Sequence, residues 1–191
     1  GGSSTAGNVT LTGAVSLAGN TTIDTSSSGG TVGFTSTIDG AKTLTITSGA
    51  GNVDIAGIIG GTTAVGNTAI NDSSGSGTID ILQIGDGTPA AGISGTLDIG
   101  NTATNQVEFD GTRYNIGGNV TVESKSGTHI DFTGADPSFT TTDASSTISF
   151  STGTIEIANT GLTMSSNAGN ISIGDIAVSY AHLTLPTIRS V

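Results

Sequence analysis

The stretch from Thr31 to Ile70 reads TVGFTSTIDGAKTLTITSGAGNVDIAGIIGGTTAVGNTAI, and its reading decides the fold. Val32 and Phe34, Leu44 and Ile46, and Val53 and Ile55 are apolar pairs, each flanking one small or polar residue. Side chains alternate between faces in an extended chain, so each pair puts both members on one side of a short strand. Gly, Asn or Asp soon follows and turns the chain before a third apolar residue can join. Two apolar side chains cannot bury themselves. They must stack on copies of their own strand, which is the logic of a repeat protein.

Outward from this stretch the same phrase recurs along most of the chain. It is present as Val9/Leu11, Val15/Leu17, Ile79/Ile81, Leu97/Ile99, Val107/Phe109, Tyr114/Ile116, Val120/Val122, Ile130/Phe132, Ile148/Phe150, Ile155/Ile157, Leu162/Met164 and Ile171/Ile173. A Ser/Gly stretch from Thr25 to Gly30 and a second loop from Asn71 to Gly77 separate groups of phrases, and Pro89 and Pro137 are read as interruptions. The spacing predicts an all-β chain folded as a right-handed parallel β-helix, or β-solenoid, with two or three short strands per coil. A tandem of antiparallel β-sandwiches is the second reading, because frequent turn signals also suit that class. Sandwich strands are longer and carry large aromatic anchors, whereas this chain has no Trp. Coils of about 20 residues would give roughly nine coils and a rod of about 40 Å.

Composition narrows the function more than it defines it. Gly supplies 31 of the 191 residues while charged residues make up 10% and aromatics 4%, so no conventional globular interior is available. Disorder competes as an account of so much Gly and Ser, but the β-branched pairs recur too regularly for it. A formal net charge of -11, with four Lys and Arg against fifteen Asp and Glu, excludes nucleic acid as a partner, since phosphate contacts need cations. Cys is absent, which removes disulfides and thiolate metal sites. No apolar run is long enough to insert in a membrane. Gly1-Gly2-Ser3-Ser4 carries no signal-peptide pattern, and the chain reads as an internal piece of something longer. Residues 1–178 form the repeat segment, and 179–191, SYAHLTLPTIRSV, are set apart as an artefactual tail or a linker.

The order V-x-F-T-S-T-I-D-G-A-K-x-L-T-I-T, followed by G-N-V-D-I-A-G and I-I-G-G-T-T-A-V, resembles the β-strand repeats of filamentous-haemagglutinin-like bacterial surface adhesins. The likeness covers about 40 residues and is general elsewhere. It implies an exported β-helical rod at the bacterial cell surface, extracellular, whose partners would be a host or neighbouring-cell surface, a glycan or matrix, and the flanking repeats of the same chain. It implies neither an enzyme nor a cofactor.

Candidate site residues are weighed against this background, and none is assigned a catalytic, cofactor or metal role. His129 and Asp131 alternate with Ile130 and Phe132, so they form a solvated outer stripe rather than part of a Ser/His/Asp triad. His182 lies in the tail. Glu108, Asp110 and Arg113 are the best carbohydrate-active candidates, with Arg113 expected to pair with a neighbouring carboxylate at a corner. Gly75-Ser76-Gly77-Thr78-Ile79-Asp80 and Gly85-Asp86-Gly87 faintly echo the Ca²⁺-binding array of β-rolls. Thr10/Thr12 and Thr45/Thr47 raise a Thr ladder of the ice-binding kind, and sequons begin at Asn8, Asn20, Asn71, Asn119 and Asn170 without being evidence of glycosylation.

Overall fold

The computed structural model describes residues 7–87, 92–158 and 161–178. The Pro89 segment lies partly, and the 179–191 tail with His182 wholly, outside the described residues. The first coil holds β1 (Val9–Leu11), β2 (Val15–Ser16) and β3 (Thr21–Asp24), and the second holds β4 (Val32–Phe34), β5 (Ile38–Asp39) and β6 (Leu44–Thr47). The third has β7 (Val53–Ile59) and β8 (Thr68–Ile70); the fourth has β9 (Thr78–Ile84) and β10 (Leu97–Ile99). The fifth has β11 (Gln106–Phe109), β12 (Arg113–Ile116) and β13 (Val120–Glu123). The sixth has β14 (His129–Phe132), β15 (Ser138–Thr141) and β16 (Ile148–Thr152). The seventh has β17 (Thr154–Ile157), β18 (Thr163–Ser165) and β19 (Ile171–Ile173), and β20 (Ile176–Val178) begins another.

Every pairing between these strands is parallel, which settles the choice against antiparallel sandwiches. The coils have three faces. The first face runs β1, β4, β7, β9, β11, β14, β17, β20; the second takes β2, β5, the far ends of β7 and β9, β12, β15 and β18; the third runs β3, β6, β8, β10, β13, β16, β19. The chain makes about 7 turns rather than nine. The reason is loop length: the step along the first face is short from Val32 to Val53 but long from Ile79 to Val107, where the corners throw out loops. At about 4.8 Å per coil the stack is roughly 34 Å long.

The predicted apolar pairs point inward. Val32, Phe34, Leu44, Ile46, Val53, Ile55, Ile79, Ile81, Leu97, Ile99, Val107, Phe109, Val120, Val122, Ile130, Phe132, Ile148 and Phe150 are buried in one continuous core. At the far end Ile171, Ile173 and Ile176 are 41%, 39% and 52% exposed, because no described coil covers them. Pro137 does not interrupt the stack. It sits just before β15, outside the strand, and its carbonyl accepts the Thr163 N–H of the next coil at 2.9 Å.

The Asn residues of the Gly/Asn corners do more than turn the chain. Ahead of the third face, Oδ1 of Asn20, Asn67 and Asn119 accepts the backbone N–H of Thr43, Thr96 and Thr147, respectively, one coil on, at 3.1, 3.1 and 2.9 Å. Ahead of the first face, Asn8 and Asn52 do the same for Thr31 and Thr78, each at 3.0 Å. An amide oxygen thus satisfies a corner donor that the parallel ladder leaves unpaired. Three of the five sequon Asn residues, Asn8, Asn20 and Asn119, are therefore structural caps. Asn71 is buried with its amide locked on Ser48, and it takes the positive φ of 49° that Asn tolerates. Gly60, at φ 68°, also lies where a Cβ would come 1.8 Å from the Gly92 carbonyl oxygen, so no larger residue fits that corner.

Candidate functional site

The outward positions of the three faces differ in chemistry. Along the third face they are Thr22, Thr45, Ala69, Asp98, Thr121, Ser149 and Ser172, a mostly neutral row. Along the first face the corresponding row is Thr10, Gly33, Asp54, Asp80, Glu108, Asp131, Glu156 and Ala177. Strict in-register pairing puts five carboxylates one above the next on consecutive coils, at about 4.8 Å strand spacing. No Lys or Arg occurs in the strands of that face. Like charges directly opposite one another are destabilising, so such a row is costly unless protons, counter-ions or ligands neutralise it.

The middle of the row bears this out. Burial raises the Asp80 carboxyl to about 7, helped by the negative charges of Asp110, Glu108 and Asp54 and by a hydrogen bond with Asp110. Glu108 is raised by burial and then by Asp110, and Asp131 by burial against the opposing pull of its Gln106 hydrogen bond and of His129. Because Asp80 binds its proton more tightly folded than unfolded, its protonation favours the folded state. Stability from this group is greatest near pH 4, falls as pH rises toward 7, and is flat above. Its half-exposed setting reduces the effect to about 1–2 kcal/mol. The melting midpoint should therefore be several degrees higher at pH 5 than at pH 8 at low salt, and Asp80→Asn should remove most of that difference; an unchanged difference would refute the assignment.

The structure brings together some of the candidates and separates others. Glu108 and Asp110 do cluster, and Asp80 from the preceding coil completes a carboxyl group of three that the sequence reading did not assemble. Asp110 also accepts from Thr133 Oγ1. Arg113 sits at the neighbouring corner, where its Nη1 donates to the main-chain carbonyl of Asp86. The β-roll echo does not assemble. Gly75 lies against the Asn71 side chain, Asp80 stands in the carboxylate row, and Asp86 is held through its carbonyl by Arg113.

The Thr ladder is also broken. Thr10 is followed in register by Gly33, and Thr45 has Thr22 on one side but Ala69 on the other. Above Gly33 the surface has a shallow depression of about 300 Å³ lined by Thr10, Thr31, Thr35, Asn52 and Asp54. His129 and Asp131 share the outer side of β14, as their alternation implies, and Nδ1 of His129 lies 2.9 Å from Oε2 of Glu156 on the next coil. Among the described residues no helix is long and apolar enough to cross a membrane.

These features define the class as a three-faced parallel β-solenoid with one acidic side. No family model matches the chain, and neither a curated protein nor a solved structure matches it significantly.

Proposed function

We propose that this chain is a structural rod, a segment of a large exported bacterial surface protein that mediates or presents cell adhesion. The observation that carries the reading is the uninterrupted stack of about 7 parallel coils, whose end remains apolar and exposed at Ile171, Ile173 and Ile176. Such an end is suited to further coils of the same chain. The resemblance of residues 31–70 to filamentous-haemagglutinin-like repeats supports the same reading. Partners would be a host or neighbouring-cell surface, a glycan or matrix, and the location would be extracellular. The mechanism is mechanical: inward Val, Ile, Leu and Phe hold the coils together while the outer faces are presented.

The test is to sequence the parent gene outward from both ends of this segment. A frame with an export signal, more coils and a surface anchor is the expected result; a short frame joined to a catalytic domain would overturn it. A carbohydrate-active reading is favoured by one observation, the Asp80, Glu108 and Asp110 carboxyl group with its raised Asp80. It requires sugar release from a polysaccharide panel that Asp80→Asn abolishes.

A further inference from the structure

We propose that His129, Asp131 and Glu156 form a binding site for one divalent first-row transition ion, Zn²⁺ in type, which clasps β14 to β17. The three side chains offer one imidazole nitrogen and two carboxylate oxygens, all within 4.8 Å of one another. Two features of the fold produce this. His129 and Asp131 are two residues apart on the outer side of β14, and parallel register places Glu156 opposite Asp131 and Thr154 opposite His129. From that position Oε2 of Glu156 reaches His129 Nδ1 at 2.9 Å.

Asp131 Oδ1 is inaccessible to solvent and accepts no hydrogen bond, although a buried carboxylate oxygen without a donor is expensive. Its other oxygen is held by Gln106 Nε2 from the preceding coil, the kind of supporting contact that orients a metal ligand. Two ligands about 2.1 Å from a tetrahedral ion stand roughly 3.4 Å apart, so the observed spacing needs side-chain adjustments of about 1 Å or less. The imidazole selects the chemistry. Ca²⁺ wants six to eight oxygens, whereas one nitrogen and two carboxylates with an outward position open to water suit Zn²⁺, Co²⁺ or Ni²⁺.

The site does not depend on the adhesin reading. Its consequence would be local: the seventh coil is capped by exposed Ile171 and Ile173, and an ion tying β17 to β14 would hold that coil onto the better-buried sixth.

The experiment is titration of the full chain with Zn²⁺, and with Co²⁺ for its visible absorption, alongside thermal melts. One equivalent should bind, and Zn²⁺ at about 100 times its Kd should raise the melting midpoint by several degrees. His129→Asn and Glu156→Gln should each weaken binding at least tenfold. Asp54→Asn, in the same carboxylate row three coils away, should leave it unchanged. His129 and Glu156 side chains are 50% and 36% exposed, so both variants should fold, and circular dichroism checks this. If one of them does not fold, the other decides. Absence of saturable binding, binding that survives His129→Asn, or equal loss in Asp54→Asn would each overturn the site; the last would mean diffuse attraction to the whole acidic row.

Discussion

Ile55→Asp is expected to dismantle the centre of the solenoid, while its neighbour Asp54→Ala leaves it standing. Ile55 is fully buried and sits in register between Phe34 and Ile81. Replacing it removes a core side chain at about 2–5 kcal/mol and asks the interior to accept a carboxyl with no partner, which costs several kcal/mol more. The total rivals the roughly 5–15 kcal/mol that stabilises a whole domain. In a stack each coil is supported only by its neighbours, so the break should spread along the second to fourth coils before it reaches the aromatic-rich end. Asp54 lies on the opposite side of the same strand, exposed and facing Asp80. Its removal takes away one of the negative charges that raise Asp80, so Asp54→Ala should be neutral or slightly stabilising at low salt. Far-ultraviolet circular dichroism against temperature decides between them. Equal loss of midpoint in both variants would overturn the assignment of inward and outward faces.

The inward pairs on the first and third faces were legible because both members are large and apolar, as in Val53/Ile55 and Leu97/Ile99. The second face was legible only in part. Val15/Leu17, Tyr114/Ile116 and Leu162/Met164 marked three of its strands, whereas the others rest on one anchor, Ile38, Ile59 or Ile84, or pair an aromatic with Thr, as Phe139 does with Thr141, and no two-residue phrase marks those.

The carboxylate row was out of reach for a different reason. Asp54, Asp80, Glu108, Asp131 and Glu156 recur at unequal intervals because the corner loops differ in length, and only the pairing register aligns them. Alternation within β14 was enough to put His129 and Asp131 on one outer stripe. It carried no information about Glu156, which arrives one full coil later. The Asn caps were half visible: Gly-Asn marks a corner in sequence, but the alternation of Asn20, Thr43, Asn67, Thr96, Asn119 and Thr147 acquires meaning only when those residues are stacked.

Phe139→Ala is expected to be the most damaging truncation of a single ring, although aromatics make up only 4% of the chain. The aromatics are concentrated where they count. Phe139 stacks on Tyr114 with centroids 4.5 Å apart, and meets Phe109, Phe150 and Phe132 at 4.9, 5.4 and 5.8 Å. These five rings, drawn from all three faces of the fifth and sixth coils, fill the interior from wall to wall. Close packing around a ring on four sides leaves little room to collapse after truncation, so the cost should fall at about 3–5 kcal/mol, with the lost ring contacts adding to it. The midpoint should drop on the order of 10 °C. Leu11→Ala, in the partly buried first coil, should cost well under half as much, because its site is already open to solvent on one side. Phe139→Leu should recover much of the difference by refilling the volume. If Phe139→Ala and Leu11→Ala prove equally mild, the rings are not what anchors the rod, and its stability must instead be spread evenly over the aliphatic rows of Val, Ile and Leu.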